Sequence, residues 1–75
     1  MNAENVNTLE LKTLHLELAR RLRCELDACW VCETWGGGLC AGTIRRSEFG
    51  YVAVVGYGAD IGEAYKDLRA KLRKL

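Results

Sequence analysis

The 75-residue sequence contains no proline, one histidine, one methionine and one phenylalanine. Without proline, nothing kinks a helix interior or stiffens a linker, so the elements run uninterrupted between turns made by other residues. The only histidine, His15, has no Ser and Asp arranged around it as a catalytic base would require. Its place beside a leucine stripe reads as a packed or boundary residue. An excess of one charge is lacking too: 11 Lys and Arg stand against 10 Asp and Glu, a formal net charge of +1. The whole molecule is therefore no polycation, and a nucleic-acid surface would have to come from local clustering. No apolar run approaches the length of a membrane span. The opening MNAENVN lacks a basic segment followed by an apolar run. These absences predict a cytoplasmic protein with no membrane partner and with reduced thiols.

What is present suits a folded chain: 49% hydrophobic and 28% charged residues. A chain this short buries only about 60% of its unfolded surface, so its core is thin and a partner chain is a common source of extra burial.

Four cysteines follow the spacing C-x4-C-x2-C-x7-C from Cys24 to Cys40. The first part matches an iron–sulfur loop, and C-x2-C opens many zinc sites. Both need a loop that turns several sulfurs to one point. Trp30 and Val31, between Cys29 and Cys32, favour extended chain, and no glycine or proline folds a knuckle there. In a strand, Cys29 faces one side with Val31 and Trp35, and Cys32 the other with Ala28 and Trp30. Opposite faces cannot share a zinc whose sulfur bonds are about 2.3 Å. We therefore expect small apolar cysteines, no metal and no cofactor.

Helical spacing appears twice. Asn7 reads as an N-cap with Glu10 three residues on and Val6 and Leu11 as a staple. Leu11, Leu14, Leu18, Leu22 and Leu26 form the following stripe, which predicts a helix within residues 7–26 after a flexible segment 1–6. Leu9 and Leu16 fall on its opposite side, either as scattered surface leucines or as a second contact face. Asp60 and Glu63 make a second capping box, and Ile61, Ala64, Leu68, Leu72 and Leu75 a second stripe, over 60–75. Acids open this helix and Arg69, Lys71, Arg73 and Lys74 close it, as the helix dipole favours. Between the helices, residues 28–57 read as three strands: 28–35, 40–46 and 51–57, with turns at Gly36–Gly38 and 47–50. Short connections make them an antiparallel meander. The fold expected is α+β, α-β-β-β-α, a single domain with two helices packed on a three-stranded antiparallel sheet.

Catalytic motifs are not found. The Gly36–Gly38 run lacks the G-K-[ST] and following helix of a phosphate loop. Gly56, Gly58 and Gly62 miss the dinucleotide fingerprint by one residue and read as the turn into the second helix. We expect no enzyme and no catalytic residue. The third strand is apolar on both sides. If both helices cover one face, the other stays open, carrying Trp35, Tyr51, Val55 and Tyr57 or else the set with Trp30 and Val54. If one helix covers each face, neither is open.

The ending GYVAVVGYGADIGEAYKDLRAKLRKL resembles a hairpin-to-helix unit of double-stranded-RNA-binding domains, which share the α-β-β-β-α order. Gly58-Ala59-Asp60 with Glu63-Ala64 is similar to the turn and helix of HicB-like antitoxins. Size and ending also resemble small phage accessory proteins, some anti-CRISPR proteins among them. The likeness covers the last third of the chain. In RNA-binding domains the last helix opens with phosphate-gripping lysines, whereas Asp60, Gly62 and Glu63 stand here, so the resemblance implies the fold without that grip. It implies a phage-encoded regulator or inhibitor in the host cytoplasm, acting on a host nucleoprotein complex such as a CRISPR effector. The sequence-level expectation is thus protein binding through Leu9, Leu16, Trp35, Tyr51, Val55 and Tyr57, with a homodimer expected through the same faces. The alternative is nucleic-acid binding by Arg20, Arg21, Arg23, Arg45 and Arg46.

Overall fold

A computed structural model describes residues 3–75, with side chains from residue 10 onward. Helix α1 spans Ala3–Leu22, followed by a 3-10 turn at Leu26–Ala28. Strands β1 (Cys29–Glu33), β2 (Leu39–Ser47) and β3 (Gly50–Gly58) precede helix α2 (Ile61–Leu72). The sheet is antiparallel in the order β1-β2-β3, giving the α+β, α-β-β-β-α fold with two helices.

The start and end of α1 both differ from expectation. The helix already runs at Ala3, so Asn7 lies within it and not at its cap. The side chains of Val6, Asn7 and Leu9 lie outside the described residues. The helix stops at Leu22, before Glu25 and Leu26. Arg23 adopts the left-handed conformation (φ +56°). Its N–H donates to the Arg20 carbonyl at 3.2 Å, and the Cys24 N–H to the Ala19 carbonyl at 3.1 Å. That pair of bonds is a Schellman ending, which satisfies the last carbonyls and turns the chain off the axis. Leu26 thereby leaves the stripe and is exposed. His15 anchors the exit. Its Nε2 lies 2.9 Å from the Leu26 carbonyl and 2.8 Å from the Cys29 carbonyl. Both partners only accept, so Nε2 carries the proton and donates to them.

The start of α2 follows the sequence reading. Asp60 Oδ1 accepts from the Glu63 N–H at 2.9 Å, and Glu63 Oε1 accepts from the Ala59 N–H at 2.8 Å. Gly56 and Gly58 belong to β3 itself, correcting their reading as a turn. A Cβ at Gly56 would overlap the backbone of Ala64 and Leu68, and one at Gly58 the backbone of Glu63 and Ala64. Their missing side chains let α2 lie directly on the strand.

Both helices sit on one face of the sheet. Leu18 and Ala19 of α1 meet Cys29 and Ala41 of the sheet and Ala64 and Leu68 of α2 in one cluster. Leu18 and Leu68 are its only large fully buried side chains among the described residues. The one buried polar side chain described, Thr43, donates to the Ala28 carbonyl at 2.8 Å. Tyr65 Oη donates to the Arg21 carbonyl at 3.3 Å and ties the helices together.

Candidate functional site: the uncovered sheet face and its edges

Register and alternation assign every strand residue to a face. Trp30 pairs with Gly42 and Gly42 with Val55; Cys32 pairs with Cys40 and Cys40 with Tyr57. Ile44 pairs with Ala53, and Arg46 with Tyr51. These residues share the face away from the helices, because cross-strand partners project to the same side. Val31, Ala41, Thr43 and Val54 project to the helices. Of the two sets considered for an open face, Tyr51, Val55 and Tyr57 come from the first and Trp30 from the second, while Val54 is on the helix side. Trp35 belongs to neither face. β1 ends at Glu33, and Trp35 sits in the turn closed by the Thr34 N–H on the Gly38 carbonyl at 3.0 Å. Gly37 supplies the positive φ (+84°) that this three-residue loop needs.

The open face is apolar and wet. Tyr51 is 74% exposed, Tyr57 56% and Ile44 45%. Trp30 covers Gly42: a Cβ there would overlap the indole. Trp35 and Phe49 stand fully exposed at the two hairpin tips, at opposite ends of the sheet. Ile44 and Phe49 escaped the sequence reading. Ile44 could have been found from its alternation with Arg46, but only once the register was known. Leu16 is exposed on α1, away from this face.

One edge of the face is closed by α2. The Tyr57 N–H donates to Asp67 Oδ2 at 2.9 Å, and Lys71 Nζ donates to the Val55 carbonyl at 2.8 Å. Lys71 also pairs with Asp67 at 3.1 Å and stands 5.1 Å from the Tyr57 ring centre. The two side chains thus occupy outward backbone groups of an edge strand, which blocks another strand from adding there. The Tyr57 N–H, and then Lys71, hold the Asp67 carboxyl below its ordinary value.

The thiols divide as the alternation predicts. Cys29 faces the helices near Cys24, and Cys32 and Cys40 are cross-strand partners on the open face. All four are free. Burial, then hydrogen bonding to Cys24, pushes Cys29 up to about 11 from 9.0. Burial, then hydrogen bonding to Cys32, does the same for Cys40. Both stay protonated at neutral pH and are poor nucleophiles and ligands as they stand.

The arginines of the sequence reading part company. Arg21, Arg23 and Arg45 come together in a cleft at the ends of the helices, where Arg69 of α2 and Arg73, just past its end, join them. Arg20 is exposed on α1 outside that cleft, and Arg46 lies beside Phe49 and Leu75. Among the described residues, no helix is long and apolar enough to cross a membrane. Compared with known proteins, the chain matches no family model, no curated protein and no solved structure.

Proposed function

We propose that this chain is a non-enzymatic protein-binding regulator or inhibitor that works by laying its uncovered sheet face on a partner protein. One observation carries the reading: both helices cover the same face of a three-stranded sheet, leaving Ile44, Tyr51, Val55 and Tyr57 facing water on the other. Tyrosine, tryptophan and arginine are the residues that dominate binding energy at protein interfaces, and Trp30, Arg46, Tyr51 and Tyr57 share this face. A chain with so thin a core has little reason to leave such side chains in water unless something covers them. The guarded edge of β3 favours contact through the face over strand addition. The resemblance of the last third to phage accessory proteins supports a host defence complex, such as a CRISPR effector, as the partner class, met in the host cytoplasm.

A second copy of the chain competes for the same face. Light scattering at high micromolar concentration separates the two. A monomer assigns the face to a foreign protein; a dimer that Tyr51→Glu dissociates assigns it to a second copy. In the first case, a protein captured by the wild type should be lost with Tyr51→Glu/Tyr57→Glu at unchanged circular dichroism. A monomer whose captured protein is retained equally by that variant overturns the reading.

A further inference from the structure

Five arginines, Arg21, Arg23, Arg45, Arg69 and Arg73, line one open cleft of about 460 Å3. Leu22, Leu72 and Tyr65 complete the lining, and none of the lining residues is acidic. The arginines arrive from three elements: the end of α1, strand β2 and the end of α2. In a chain whose formal net charge is +1, nearly half of the 11 Lys and Arg residues have gathered in one place.

Neutralisation inside the molecule does not account for the cluster. Of the five arginines, Arg21 alone has a carboxylate partner among the described residues: Glu17, at 3.4 Å in an exposed pair. Both helices end at the cleft, and each terminus is equivalent to roughly half a negative charge. Glu17 and both termini together leave a surplus of about three positive charges. The helix termini themselves repel an anion, so attraction here comes from the guanidinium groups alone.

Two further features hold the cluster in place. Arg21 and Arg69 stand over the Tyr65 ring, their guanidinium carbons 5.3 and 5.8 Å from its centre, which orders both. Arg23 occupies the left-handed position of the Schellman ending (φ +56°), where glycine carries no penalty. A costly backbone conformation is thus kept at a residue whose side chain lines the cleft, as strained residues at binding sites do.

We propose that this cleft binds the phosphodiester backbone of a nucleic acid, without reading its sequence. Guanidinium forks match phosphate oxygens in pairs. Arginines spread over three elements in an open cleft suit successive phosphates better than one small anion. The one aromatic lining residue, Tyr65, already carries two arginines and offers no free platform for a base. The site lies at the opposite end of α2 from the lysines of the RNA-binding domains that the chain resembles, and Arg69 and Arg73 are as much part of it as Arg21, Arg23 and Arg45.

The test is fluorescence anisotropy of a labelled 20-base-pair DNA duplex with the full chain, across salt concentrations. Neutralising about four phosphates gives a slope of log K against log salt of roughly −3.6. Arg69→Gln/Arg73→Gln should lower the slope by about 1.8 and weaken binding at least tenfold. Lys12→Gln/Lys66→Gln removes the same charge at exposed positions outside the cleft and should change affinity less than threefold. Circular dichroism checks that each variant is folded. No binding by the wild type overturns the proposal, as does equal loss from the two double variants, which would mean net charge alone. Displacement of the duplex by millimolar inorganic phosphate at constant ionic strength would make this a small-anion site and overturn it too.

Discussion

Arg23 is the only non-glycine residue with a positive φ among those described. The helix takes its left-handed ending there without the glycine that usually occupies this position. Arg23→Gly should relieve left-handed strain at some cost in unfolded-chain entropy, a net gain of about 0.5–1 kcal/mol in stability. Chemical denaturation measures it, and a loss of stability would mean that the Arg23 side chain contributes more than its backbone costs. The thiols give a second prediction at this scale. Cys29 and Cys40 are raised from 9.0 to about 11 in the folded chain. In the unfolded chain they ionise first as pH rises, so stability is undiminished below pH 9 and falls as pH climbs from 9 to 11. Cys29→Ala/Cys40→Ala should remove that part of the alkaline loss, seen as a flatter dependence of the denaturation midpoint on pH. The opposed faces of Cys29 and Cys32 were legible in the sequence, because alternation needs only the strand. The position of Trp35 was not: it depends on where pairing stops, and the turn closes at Thr34, one residue earlier.

The helix starts show what element-scale signals can and cannot carry. At α2 the capping box stands at the observed start, and Asp60→Ala should cost about 1 kcal/mol by freeing the Glu63 N–H. A melting temperature unchanged by that substitution would contradict the cap. At α1 an equally good pattern, Asn7 with Glu10, lies inside a helix that begins at Ala3, because a cap signal marks a possible start and does not forbid helix before it. The leucine stripe likewise predicted helix through Leu26, whereas the Schellman ending and the His15 bonds to the Leu26 and Cys29 carbonyls take the chain into β1. The edge guard on β3 was invisible in the sequence, since it needs α2 laid along the strand by Gly56 and Gly58. Its Asp67 carboxyl sits below the ordinary value through the Tyr57 N–H first and Lys71 second. A carboxyl lowered in the fold contributes stability above its unfolded value, and that contribution is lost as pH falls through the folded one. Asp67→Asn should therefore reduce the loss of stability on acidification, measured as the denaturation midpoint from pH 6 downward. An acid dependence identical to wild type would contradict the guard.

At the scale of the whole molecule, element order and sheet topology were legible because turns, caps and periodicity all pointed to one fold. Which sheet face stays open was not, since it depends on both helices choosing the same side. Nor was the arginine cleft, because Arg69 and Arg73 read equally well as a complement to the helix dipole until α1 and β2 were placed beside them. The two helices run in parallel, so the molecule has a basic end at their C-termini. At the other end, Glu10, Glu33 and Asp60 line a common cleft. The uncovered face spans the distance between these ends and carries the exposed side chains of Ile44, Tyr51 and Tyr57. Cys32 reports on it directly, being the one exposed cysteine and lying on that face opposite Cys40. The alkylation rate of Cys32, measured by mass spectrometry with and without saturating amounts of the protein that the wild type captures, is the closest test of the account. The prediction is at least tenfold protection of Cys32, with Cys24 on the helix side unaffected. An unchanged Cys32 rate in the saturated complex would place the contact elsewhere and contradict the assignment of the open face.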